Sequence, residues 1–184
     1  ELAYLYGLDG QHGEAMTEYV ALLAQSPERL ALVRNRLQTF VEQGEGISSS
    51  IDVLRTAVEE DPLNPAYREL LAWLHMKTND YEAAYDVYRA LDRLQQKQGE
   101  MLYNFAQKAA DADALEVATT AFEAILDRHA DAPIAPDARK ALGTNYERWA
   151  DYSDDRPTAP ESSASYDAAR TAYETVMAQH PHHD

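Results

Sequence analysis

One small residue recurs along this chain at a nearly constant interval, and that recurrence limits the fold more than any other feature. Ala15, Ser50, Ala84 and Ala118 follow one another at steps of about 34–35 residues. The clearest copy of the surrounding pattern is Pro65 to Arg93, which reads as two antiparallel amphipathic helices joined by a tight Thr78-Asn79-Asp80 turn. Leu70, Leu71, Leu74 and His75 share one face of the first helix, and Tyr81, Ala84, Tyr85, Tyr88 and Leu91 share one face of the second. A lone hairpin cannot bury such faces, so each copy needs neighbours of the same shape. The expected class is therefore all-α, with growth by stacking. The step from Ala118 to Ala169 is longer, about 51 residues, which places extra chain in the last unit.

Several further residues stand in register with this repeat. The last unit carries Leu142, Gly143, Tyr146, Ala169, Tyr173 and Pro181, and the first carries Leu2, Ala3, Tyr6, Ala15, Tyr19 and Pro27. The middle unit has Leu71, Ala72, His75, Ala84 and Tyr88, and the fourth has Phe105, Ala106, Ala109, Ala118 and Phe122. The second departs furthest, with Leu37, Gln38, Val41, Ser50, Leu54 and Pro62. On these residues the chain resembles the tetratricopeptide repeat (TPR) family, although Arg68 and Arg139 stand where that family often has Trp. The resemblance implies a right-handed α–α superhelix, a TPR solenoid of about four to five helical hairpins. It implies a single array over residues 1–184, with repeats near 1–27, 28–62, 63–97, 98–133 and 134–181. Because the chain opens on Glu1 inside an expected first helix, it reads as a fragment of a longer repeat protein.

Local signals set the expected element ends. Ser48 or Ser49 is expected to cap the helix that runs to Glu60, and Asp113 the helix that runs to about Arg128. Asp137 is expected to open a helix ending at Trp149. The Pro-, Ser- and Asp-rich segment 151–163 then reads as an exposed loop carrying about 14 residues more than the other turns.

Charge narrows the function. The chain has 32 acidic against 16 basic residues, a formal net charge of −16, so a nucleic-acid partner is not expected: like charge repels the phosphate backbone. Abundant Asp with only four lysines resembles proteins of salt-adapted organisms, and the scattered acids read as a solvated coat, with a basic partner as the functional alternative. The 0 cysteines remove thiolate chemistry and leave the redox compartment open. No apolar run reaches membrane-spanning length, so membrane insertion is not expected. The location stays open between cytoplasm and periplasm or cell envelope.

Catalytic and metal signals are weak. Asp151, Asp154 and Asp155 lack the alternation and central Gly of a calcium loop. His180, His182 and His183 could hold a divalent metal, but they follow a helix-ending Pro181 and read as adventitious. His75 falls on a packing face and reads as a core histidine. With no nucleophile elbow and no phosphate-cradling Gly-rich loop, the expectation is a non-enzyme with no cofactor and no metal.

The TPR resemblance implies instead a protein-interaction scaffold, in which the first helices line a concave groove that takes a peptide or protein segment. Carried over by register, the groove positions are Asn35, Thr39, Glu69, Trp73, Met76, Tyr103, Gln107, Lys140, Thr144 and Arg148, with Tyr4 along the same surface. Trp73 has two readings, a stacking platform in the groove or a packing residue between repeats. The Lys/Asn/Arg clamp by which some family members hold chaperone tails is absent from these positions. The stretch HADAPIAPDARKALGTNYERWAD resembles repeats of bacterial cell-envelope assembly proteins. The alternative function is therefore a self-associating structural or envelope component, a homo-oligomer built through open solenoid ends. A metal protein or enzyme is the alternative of another class.

Overall fold

The computed structural model describes residues 2–44, 46–154 and 162–179, and among these every regular element is helical. In order they are α1 (Leu2–Leu8), α2 (His12–Gln25), a 3-10 turn (Pro27–Arg29), α3 (Leu30–Glu42), α4 (Ile47–Glu60) and α5 (Pro65–Lys77). There follow α6 (Tyr81–Gln95), α7 (Glu100–Asp111), α8 (Leu115–Arg128), α9 (Ala135–Asp154) and α10 (Ser162–Gln179). The fold is all-α, as the repeat pattern requires. The chain divides into two compact units, Glu1–Gln95 and Gln96–Asp184.

In the first unit α1 pairs with α2 and α5 with α6, while α4 packs chiefly against α2 and α5 rather than against α3. Its core is apolar and continuous, with Met16, Leu23, Val33, Leu54, Leu70 and Leu74 fully buried. In the second unit α7 pairs with α8 and α9 with α10, and α8 also packs on α9. Phe105, Phe122 and Ile125 fill its centre. The recurring small residues are buried in both units: Ala15 at 3 %, Ser50 at 5 %, Ala84 and Ala118 at 0 % and Ala169 at 2 % exposure. A small side chain at these points lets helix backbones approach, and the repeat spacing exists because each hairpin needs that approach once.

The turns inside three hairpins share one backbone design. After α5, Asn79 takes a left-handed conformation (φ 57°), the Asp80 amide donates to His75 O at 3.0 Å, and the Asn79 amide donates to Met76 O at 3.4 Å. This is the Schellman closure, which satisfies the last carbonyls of a helix. Asp80 then opens α6 by accepting the Ala83 amide at 3.2 Å. Gly10 (φ 73°) and Asp113 (φ 61°) repeat the arrangement, with Gln11 N to Tyr6 O and Ala114 N to Ala109 O both at 2.9 Å. Each of these connectors has three residues. The α3–α4 connector, residues 43–46, has one more, and Gly44 and Gly46 both have positive φ.

Four boundary expectations are corrected. Ser48 and Ser49 lie inside α4, whose N-cap is Gly46; Ser49 Oγ donates to Gly46 O at 3.0 Å instead of accepting an amide. Asp113 does not cap α8: it occupies the left-handed turn position, as Asn79 does, and Ala114 takes the cap without a side-chain bond. The last first-helix starts at Ala135 rather than Asp137 and runs past Trp149 to Asp154. Segment 151–163 is accordingly not all loop, because 151–154 extend α9 and 162–163 begin α10, while 155–161 lie outside the described residues.

Candidate functional site

The sequence-predicted groove positions fall on α3, α5, α7 and α9, the first helices of their units. In the first unit α3 lies beside α5. Asn35 and Thr39 are exposed on α3, and Glu69, Trp73 and Met76 are half-buried on α5. Packing residues of the same helices, Val33 and Leu37, Leu70 and Leu74, are at most 5 % exposed. The helical period thus separates a core stripe from an outer stripe on each helix.

Two of these positions share a recess. Asn35 and Glu69 line a volume of ≈ 500 Å³ together with Leu30, Ala31 and Ala66. Glu69 is held from two sides: Arg34 Nη2 donates to its main-chain oxygen at 3.0 Å and stands 4.0 Å from its carboxylate, and Gln95 Nε2 donates to Oε1 at 3.1 Å. Arg34 and Gln95 are residues the sequence reading missed. Their signal was available only in three dimensions, since Arg34 lies on α3 and Gln95 on α6. Trp73 packs against the core cluster with part of its ring outside, and the Lys77 ammonium stands 5.8 Å from the ring centroid, a cation–π distance. The packing reading of Trp73 is thus seen in the structure, with the ring left partly exposed. Tyr4, on α1, carries the Arg36 guanidinium over its ring at 4.8 Å.

In the second unit α7 lies beside α9. Tyr103 sets its ring edge-on to Phe122 of α8 at 5.8 Å, and its hydroxyl accepts from Gln107 Nε2 at 3.0 Å. Burial raises the Tyr103 hydroxyl pKa and the nearby Asp137 carboxylate adds to the rise, so the phenol stays a neutral donor. Lys140, exposed on α9, is joined to Thr144 only through its carbonyl, which accepts the Thr144 hydroxyl at 3.4 Å. The Thr144 hydroxyl also meets the Tyr173 hydroxyl of α10 at 3.0 Å. Arg148 is not a free outer cation. Its Nη2 donates to Asp113 Oδ1 at 2.9 Å, tying α9 to the α7–α8 turn.

The groove reading also passed over a buried amide. Asn145, 2 % exposed, donates to Leu115 O at 2.8 Å and to the Thr119 hydroxyl at 2.7 Å, fixing α9 on α8. An Asn in mid-helix among apolar positions is the sequence signal that could have found it. His75 is a core histidine: 2 % exposed, its Nδ1 lies 3.1 Å from Asp80 Oδ2, and burial lowers its pKa.

Among the described residues no three His, Asp or Glu side chains converge as a metal site, and no helix is long and apolar enough to cross a membrane. His180, His182 and His183 lie outside the described residues, as does Asp155.

No family model matches the chain, and no curated protein matches it. Solved structures do. A MamA protein aligns at 14 % identity and TM-score 0.44, over 96 % of this chain and 87 % of its own. A putative kinesin light chain of Podosopora anserina with nearly identical TPR-like repeats aligns at 18 % identity and TM-score 0.42, over 97 % of this chain and 91 % of its own.

Proposed function

We propose that this chain is a protein-interaction scaffold of the TPR type, and that the groove positions of each unit receive a peptide or protein segment. The observation that carries it is the separation of stripes on α3, α5, α7 and α9. Each helix spends one face on the core and turns amides, hydroxyls, an aromatic edge or a charge outward, where an extended segment can take hydrogen bonds and stacking. Asn35, Thr39, Gln107, Lys140 and Thr144 are exposed and suit the polar part of such recognition, while Trp73 and Tyr103 supply rings held by neighbours.

The test is capture of partners from lysate of the source organism with two variants of unchanged helicity. Trp73→Ala with Tyr103→Ala removes the rings; Gln107→Glu with Lys140→Glu alters only exposed positions. Partners lost from both variants support the groove. Partners retained by both overturn it. A second reading, self-association, is favoured by the exposed leucines of α1, Leu2 at 50 %, Leu5 at 59 % and Leu8 at 61 %. Concentration-dependent mass in sedimentation would mark it.

A further inference from the structure

The first unit carries a second recess that none of the ten groove positions lines. It holds ≈ 720 Å³ between α1, α2 and the start of α3. Its apolar lining comes from Leu2 and Leu5 of α1, Leu22 of α2 and Leu32 of α3, and three of these four are at least 46 % exposed. Leucines spaced by three on one helix, facing leucines on two others, make the kind of trough that accepts the apolar stripe of an amphipathic helix.

The rim runs against the rest of the molecule. A chain with two acids for every base places Arg29 and Arg36 at this recess against one Glu18. Neither arginine has a carboxylate partner among the described residues; Arg36 instead lies over the Tyr4 ring. Tyr19 lines the same recess at 5 % exposure, with its hydroxyl buried. The two guanidiniums are exposed, so water meets their donors in the free chain, and a carboxylate would exchange that water for charge-assisted hydrogen bonds.

We propose that this recess docks an amphipathic acidic helix of a partner protein, its leucine-like side chains in the trough and its Asp or Glu side chains against Arg29 and Arg36. The chain-wide field works against such a ligand, so selectivity for it has to come from this rim.

Three dye-labelled synthetic helices with the same leucine stripe and Glu, Gln or Lys on the flanks serve as probes in fluorescence anisotropy. The Glu probe is expected to bind on the order of tenfold tighter than the Lys probe, with the advantage shrinking as salt rises. Arg29→Glu with Arg36→Glu, both at exposed positions, should invert that order. Leu5→Ser with Leu32→Ser should abolish binding of all three at unchanged helicity. Equal binding of the probes, a preference for the Lys probe, or an order indifferent to charge reversal overturns the proposal. So does a dimer of the chain alone that Leu5→Ser dissolves, since a second copy then fills the trough. Release of dye from anionic vesicles with no binding of the Glu probe would assign the leucines to a lipid surface and overturn it equally.

Discussion

Gly143 and Tyr173 offer a sharp check on how α9 and α10 meet. A Cβ built on Gly143 would lie 2.8 Å from Tyr173 Cε1, 2.9 Å from Cζ and 3.1 Å from Cδ1. Carbon atoms are comfortable at about 3.5–4.0 Å, so the ring would have to retreat by roughly 0.7 Å. It is not free to do so. Its hydroxyl meets Thr144 at 3.0 Å and donates to Glu147 at 3.1 Å, both on α9, and these bonds tether the ring beside the glycine. Gly143→Ala therefore sets two effects against each other. Helix propensity favours Ala by about 0.8–1 kcal/mol, while overpacking against a tethered ring costs about 1–3 kcal/mol. The expected net is a loss of roughly 1 kcal/mol in the parent. In a Tyr173→Ala background the obstacle is gone, and the same substitution should gain about 1 kcal/mol.

The sign inversion, a coupling of about 2 kcal/mol, is what to measure. Trp149 lies on α9 in the second unit and Trp73 lies in the first. Urea unfolding followed by Trp149 emission in a Trp73→Phe background thus reports the unit concerned. If Gly143→Ala stabilises both backgrounds alike, the ring does not lie over residue 143 and the α9–α10 pairing described above is wrong.

Two further predictions concern buried polar groups. Burial holds the His75 pKa below 6.5 despite Asp80, so the unfolded chain binds the proton more readily. Stability from this site is fully present above pH 6.5 and falls as pH drops toward the folded-state value, by at most about 1.4 kcal/mol per pH unit. Urea midpoints of the parent and His75→Gln between pH 7.5 and 5.5 check this; parallel profiles would refute it. Asn145→Ala should cost about 1–3 kcal/mol by stranding the Thr119 hydroxyl, and Asn145→Asp should cost more, with partial recovery in acid as the carboxyl becomes a donor. A neutral Asn145→Asp at pH 7 would mean that the α8–α9 contact is wet.

How much of this was legible beforehand follows from what kind of information each feature needs. The buried positions 15, 50, 84, 118 and 169 were legible, because close approach of helices admits only small residues and repeats at the hairpin period. The α5–α6 turn was legible because Asn79 and Asp80 have the side chains that its backbone favours. The α7–α8 turn misled for the same reason: Asp113 looks like a cap, yet the backbone needs it one place earlier, in the left-handed site. Among the groove positions, Arg148 was placed on the right helix, but its bond to Asp113, 35 residues away, is invisible to local pattern. The recess among Leu2, Leu5, Leu22 and Leu32 was not legible, because it joins residues of three helices that no sequence spacing brings together.

The four-residue connector between α3 and α4 also bears on how such chains diversify. Its three-residue counterparts join helices that pack on each other, whereas α4 packs chiefly on α2 and α5 rather than on α3. Helix pairing can thus differ between units whose packing residues follow the same repeat. Two descendants of one ancestral repeat protein could keep matching apolar stripes and still present different surfaces, a divergence that counting substitutions cannot register.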